Sequence, residues 1–178
     1  MDHTAVKSHW TRGQSAGKAS MDDRAIPEEP SETSRSISPE RRLEAQWVVG
    51  FVDGEGCFYV GINAQPEMNA GFQVLPEFTV VQHERDVQLL FALKSFFGCG
   101  VVRRNHEERM AYRVRSVEHL RRRIIPFFEK HPLKSRKHVD FLKFRHVLLL
   151  MERNEHLTTD GIEKIRRIAS EMNTGRER

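Results

Sequence analysis

Glu55 stands between two glycines, Gly54 and Gly56, at the end of an apolar run from Trp47 to Val52. Glycine tolerates the dihedrals that stop a helix, so this spacing predicts a carboxylate at a helix C-terminus, beside backbone carbonyls that the helix ladder leaves unpaired. A carboxylate together with carbonyl oxygens is a hard, oxygen-only donor set of the kind that suits Mg²⁺. An apolar helix with an incidental acidic cap has the same local appearance.

The element that presents Glu55 reads as a helix over residues 41–52. Ser38-Pro39 supplies an N-cap followed by proline at the first helical position, and no breaker follows before the glycines. Gly50 and Gly54 are four residues apart and share a face on which a second helix can approach closely. Beyond this helix, residues 57–63 alternate, with Phe58, Val60 and Ile62 on one side and Tyr59, Gly61 and Asn63 on the other, which is strand period. Residues 66–71 are a turn. Residues 72–82 alternate again, with Gln73, Leu75, Glu77 and Thr79 outward, and Pro76 predicts an edge position or a bulge. A helical stripe over 84–97 ends at Gly98. Two short strands follow, over 101–105 and 110–116. A helix over 117–128 is interrupted by Pro126, a longer one covers 133–152, and a last one starts at Thr158-Thr159-Asp160, where Asp160 and Glu163 have capping-box spacing.

That order predicts an α+β domain, a four-stranded antiparallel sheet with helices on one face and the other face bare. The bare face would carry Tyr59, Asn63, Gln73, Glu77, Thr79, Arg103, Asn105, Arg113 and Arg115. Antiparallel sheets commonly solvate one face. Arg, Gln, Asn and Thr are also the side chains that read base edges, and Lys and Arg neutralise phosphate.

Charge distribution points the same way. The 178 residues carry a formal net charge of +4, but residues 1–40 are net −2 and residues 41–178 net +6. The part expected to fold is therefore basic, which favours a polyanionic partner. Residues 1–37 are rich in Ser, Glu, Arg, Gly and Pro without apolar period and read as a disordered tail before a domain over 38–173, with a short end at 174–178. Two cysteines, Cys57 and Cys99, are too few for a disulfide framework or a zinc site, and none of the nine histidines forms a two-His metal spacing with an acid. No apolar run reaches membrane-spanning length and no signal peptide is evident, so an intracellular protein is expected, with neither a membrane nor a small-molecule cofactor among its partners.

Residues 48–56, and Gly50-Phe51-Val52-Asp53-Gly54-Glu55-Gly56 above all, resemble the signature of the LAGLIDADG homing endonucleases. The element order resembles that family's αββαββα core over about residues 41–173. The resemblance implies a saddle-shaped sheet over duplex DNA, hydrolysis across the minor groove, and Glu55 as the metal-binding acid, with the Gly54 carbonyl adding an oxygen. Single-signature members resemble one another as homodimers joined at the signature helices, which implicates Gly50, Asp53 and Gly54 in the dimer contact. Gln82 falls where many members carry a glutamine that positions water. Residues 132–141 resemble the stretch P-L-x-S/T-x-K-x-x-D-F, which places Lys137 at the cleavage site, with Lys134 as the alternative under a small register change. Two features depart from the pattern. Asp86 stands where some homodimeric members have arginine, and Glu55 is glutamate where many have aspartate. The expected activity is Mg²⁺-dependent, site-specific cleavage of double-stranded DNA by a homodimer. The alternative is a module on the same fold that binds DNA or RNA without cutting, as a transcription factor or an intron maturase does.

Overall fold

The computed structural model describes residues 43–174. The expected Ser38-Pro39 cap, the tail over 1–37 and residues 175–178 lie outside them.

Helix α1 (Ala45–Glu55) runs directly into strand β1 (Gly56–Ala64). It opens later than the sequence suggests. Glu44 is its N-cap residue and makes no side-chain capping bond. The stop also differs from expectation. Gly54 is still helical, and Gly56 leaves the helix in extended backbone, at φ −74° and ψ 158°, which any residue can adopt. The need for glycine at position 56 is spatial: a Cβ there would lie 2.6 Å from Val52 Cγ1 and 2.8 Å from the Val52 carbonyl oxygen. The helix-to-strand corner is that tight.

Strand β2 (Phe72–His83) pairs antiparallel with β1 in one unbroken register, from Gly56↔Val80 to Ala64↔Phe72. A 3₁₀ turn (Glu84–Asp86), helix α2 (Val87–Phe97) and strands β3 (Val101–His106) and β4 (Arg109–Val114) follow, and the sheet order is β1-β2-β4-β3. β4 pairs with β2 only from Phe78 onward, so Pro76 lies in the stretch of β2 that has a partner on the β1 side alone. Its missing N–H is tolerated there without a bulge. Gly98 ends α2 in the left-handed region, at φ 64°, as its position predicts.

The helix interrupted by Pro126 in the sequence reading continues through it. Helix α3 (Val117–His119), a π-helical segment (Leu120–Ile124) and helix α4 (Ile125–Lys130) run end to end. The wider π turn, in which Ile125 N–H reaches the Leu120 carbonyl, brings the chain to proline without a break. Helix α5 begins at Lys137, later than expected, and runs to Glu152. A 3₁₀ turn (Glu155–Leu157) precedes α6 (Thr159–Ser170). Thr158, not Asp160, is the N-cap of α6, and its hydroxyl accepts the Gly161 N–H at 3.1 Å.

The helices cover one face of the sheet. Phe58 is the hub of the resulting core. Its ring lies 5.2–5.6 Å from those of Phe78, Phe128, Phe141 and Phe144, and all five are fully or almost fully buried. No charged or polar residue is buried among the described residues, so burial of apolar surface holds this layer together. β1 is an edge strand, and the chain end after α6 closes part of that edge. Asn173, left-handed at φ 56°, donates its side-chain amide to the Phe58 carbonyl at 2.9 Å, while Asp140 accepts its backbone N–H at 3.1 Å.

Candidate active site and nucleic-acid face

The abrupt α1–β1 corner sets Glu55 at the surface. The side chain is exposed and makes no hydrogen bond or ion pair among the described residues. On either side of it the chain is tied down. Two residues before it, the Asp53 carboxylate accepts the backbone N–H groups of Lys134 and Ser135, at 2.7 and 3.2 Å, and the Ser135 hydroxyl at 2.7 Å. One residue after it, the Gly56 carbonyl accepts a hydrogen bond from Lys137 Nζ. The Asp53 contacts also explain the late start of α5: Lys134 and Ser135 give their N–H groups to a side chain rather than to a helical turn. Partial burial pushes the pKa of Asp53 up, but the Lys134 and Ser135 donors and the Lys137 charge outweigh it and hold the carboxyl below its ordinary value.

Lys137 and Lys134 are thereby separated. Lys137 is half-buried with its ammonium against the carbonyl next to Glu55, whereas Lys134 is exposed and reaches Asp53 through its backbone. Gln82 pairs with Met110 two residues beyond the Gly56↔Val80 pair, so β2 carries it past the corner that bears Glu55. Glu55, Gln82 and Lys137 therefore gather at one end of the sheet. The donors at this corner are one carboxylate and last-turn carbonyls, with no thiolate or imidazole. They fit a hard divalent cation, and the described residues of one chain hold no group of three or more metal-ligating side chains.

The signature helix turns a glycine edge outward. A Cβ built at Gly50 or Gly54 meets nothing within 4 Å. Beside that edge Trp47, 41% exposed, stacks on Phe51 at 4.8 Å between ring centroids. Asp53, expected at a contact between two copies, spends its hydrogen bonds within its own chain.

All nine residues expected on the bare sheet face lie on one face. Registers Tyr59↔Glu77, Asn63↔Gln73, Thr79↔Arg113 and Val101↔Arg113 align them, and an Arg113–Asn105 hydrogen bond carries the face across the irregularity between Arg104 and His106. Continuing the alternation adds His83 and Arg109, a pair that the sequence reading missed because it ended β2 too early. His83 Nε2 lies 3.0 Å from Glu108 Oε2. The Thr79 hydroxyl donates to the Tyr112 carbonyl of the neighbouring strand at 3.1 Å.

Residues 48–148 match the sequence model of the LAGLIDADG endonucleases. The chain belongs to the LAGLIDADG endonuclease family. Among its relatives, an uncharacterised 50.9 kDa protein in ND4 intron 1 of Podospora anserina is 33% identical over 67% of this chain, and the probable intron-encoded endonuclease 2 of Neurospora crassa is 32% identical over 67%. The chain spans 27% and 25% of those two proteins, about a quarter of their length. Among LAGLIDADG structures, the homing endonuclease I-TnaI superposes with a TM-score of 0.72 at 60% identity, covering 75% of this chain and 90% of that one. I-SmaMI bound to cleaved DNA superposes with a TM-score of 0.73 at 38% identity, covering 76% of this chain and 45% of that one. The four-stranded antiparallel α+β architecture is thus that of the family's solved members. None of the described LAGLIDADG helices is long and apolar enough to cross a membrane.

Proposed function

We propose that the chain is a site-specific endonuclease that hydrolyses phosphodiester bonds in both strands of duplex DNA, as a homodimer that uses Mg²⁺. The observation that carries this reading is the exposed, unpartnered carboxylate of Glu55 at a helix end, with the Lys137 ammonium on the carbonyl of the next residue and an arginine-bearing sheet face on the same domain. A binding-only module has no use for an acid held that way.

The roles follow from chemistry and position. Glu55 and the Gly54 carbonyl would hold the cation, which when bound activates a water and neutralises charge at the phosphorus. Lys137 brings a positive charge to the same corner, where charge grows on the phosphate oxygens in the transition state. Gln82 offers both a donor and an acceptor to orient water. The sheet face fixes the register of the duplex: its cations contact phosphates, and its amides and arginines contact base edges. Because each chain brings one Glu55, two copies meeting along the Gly50–Gly54 edge would bring two acids together, one for each strand. This chain covers 46% and 45% of the I-SmaMI chain in two DNA-bound structures, which agrees with two such units making one enzyme.

The test is cleavage of DNA carrying sites selected from a randomised duplex library, with Mg²⁺ present, by the native protein and by Glu55→Gln. The expected outcome is cutting by the native protein and binding without cutting by the variant. Native protein that binds a selected site and cuts nothing would replace this reading with the binding module.

A further inference from the structure

The arginine-bearing face also contains a carboxylate, and that carboxylate is nearly enclosed. The Glu77 side chain is 13% exposed, against 29% for Arg113 and 66% for Arg115. Glu77 Oε2 accepts a hydrogen bond from Arg115 Nε, and Oε1 lies 3.7 Å from Arg113 Nε. Arg113 Nε is buried and makes no hydrogen bond, so this charge contact is what offsets its desolvation. Arg113 Nη2 in turn donates to Asn105 Oδ1. Together with Arg103, Ser116 and His119, the two arginines border a cavity of about 360 Å³ that opens beside the face.

A carboxylate placed among phosphate-facing groups weakens attraction to any DNA, whatever its sequence. Both oxygens of Glu77 are engaged by arginines, and the group is too enclosed to accept from a cytosine amino group itself. Its effect is on the arginines. Arg115, held through Nε, keeps its terminal nitrogens free and aimed, and that fork is the group that bonds guanine O6 and N7 in the major groove; Arg113 is steadied by the charge contact and by Asn105, which leaves its second terminal nitrogen for a base.

We propose that Glu77 is a positioning residue that sets base discrimination by holding Arg113 and Arg115, at the cost of general DNA affinity. This rests on the reading of the sheet face as a DNA-binding surface.

The proposal has a signature that ordinary structural support lacks: Glu77→Gln moves two affinities in opposite directions. Binding is measured without divalent metal, so that nothing is cut. One probe is a short duplex of arbitrary sequence titrated across NaCl concentrations. The other is a randomised duplex library whose bound fraction is sequenced. Glu77→Gln is expected to bind the arbitrary duplex roughly fivefold more tightly at low salt. Its slope of log affinity on log salt should steepen by about 0.9, the value for one added phosphate contact. Discrimination at one or two base pairs of the selected site is expected to fall about tenfold. Arg115→Ala on the Glu77→Gln background should remove the gain on the arbitrary duplex, and Arg115 is exposed enough for that change to leave folding intact.

Unchanged discrimination in Glu77→Gln, or equal loss on both probes with a lowered melting temperature, would overturn the proposal and leave the nuclease reading standing. A native protein that enriches no sequence at all would instead remove the site-specific reading on which the proposal rests.

Discussion

Asp53 and Ser135 stand 82 residues apart in the chain and meet through two hydrogen bonds to one oxygen: the Ser135 hydroxyl reaches Asp53 Oδ1 at 2.7 Å and the Ser135 N–H reaches it at 3.2 Å. With the Lys134 N–H on Oδ2, these bonds fasten the last turn of α1 to the entry of α5. The fastening sits two residues before the exposed acid and two before Lys137. It therefore fixes how far the carboxylate and the ammonium of the candidate site stand from each other.

Removing that fastening should cost stability in a pH-dependent way. Asp53→Ala leaves two N–H groups and a hydroxyl without their acceptor, and a loss of about 1 kcal/mol is expected at neutral pH, as for a helix-capping carboxylate. The folded-state pKa of Asp53 lies below its ordinary 3.8, so its stabilisation is fully present above that value and is lost as pH falls through the lower folded value. Urea melts of native protein and Asp53→Ala should differ at neutral pH and converge below pH 3.8. A constant gap down to the acid limit would mean that the carboxylate charge has no part in the contact.

Phe58 couples the site to the core. It is fully buried, three residues after Glu55, and packs against four aromatic rings. Phe58→Ala should destabilise the fold by about 3–5 kcal/mol, since neighbouring rings from two helices and a strand cannot all collapse into the space. Phe58→Leu should recover most of that. Denaturant midpoints for the two variants decide the matter, and a loss under about 1 kcal/mol for Phe58→Ala would show that the hub is not where this packing puts it.

The layout of the fold was readable because its signals are local. Alternation over Cys57–Asn63 and the stripe over Val87–Phe97 each report their own surroundings, and Gly98 marks a left-handed stop wherever it occurs. What the sequence did not disclose depends on partners far along the chain. The late start of α5 is set by Asp53, the closed edge of β1 by Asn173, and the tolerance of Pro76 by where β4 stops alongside β2. No window of a dozen residues contains both members of such a pair. The site divides in the same way. Glu55 announces itself through its flanking glycines, whereas the choice between Lys134 and Lys137 needed the Gly56 carbonyl, and the enclosure of Glu77 needed β4. Gly56 was legible as a glycine for a reason other than the one inferred, since its small size and not its dihedral freedom is used.

The two lysines are separable by experiment. Lys137→Met removes the ammonium bonded to the carbonyl next to Glu55, and a loss of catalytic rate of about 100-fold or more is expected, with binding of the selected site changed little. Lys134→Met keeps the backbone N–H that Asp53 uses, and should alter the rate by less than about fivefold while reducing the salt dependence of binding. Single-turnover cleavage, paired with binding measured without metal, distinguishes the two. Equal rate losses for both variants would mean that the pairing seen for Lys137 is not retained when DNA is bound.

Gly54→Ala should act in opposite directions on one chain and on two. Within the chain, glycine inside a helix is less stable than alanine by up to about 1 kcal/mol, and the added methyl meets nothing within 4 Å, so the variant should be the more stable monomer. Between two copies, the same methyl occupies the notch that lets the α1 helices approach, and dimerisation should weaken, by roughly tenfold for alanine and more for leucine. The corner is otherwise undisturbed, because the Gly54 carbonyl and the Glu55 side chain keep their places. Sedimentation across a range of concentrations, with thermal melts at the dilute end, reads both effects on one sample. A variant that dimerises as well as the native chain would place the contact between copies elsewhere, and Glu55 would then lack the second acid that cutting both strands requires.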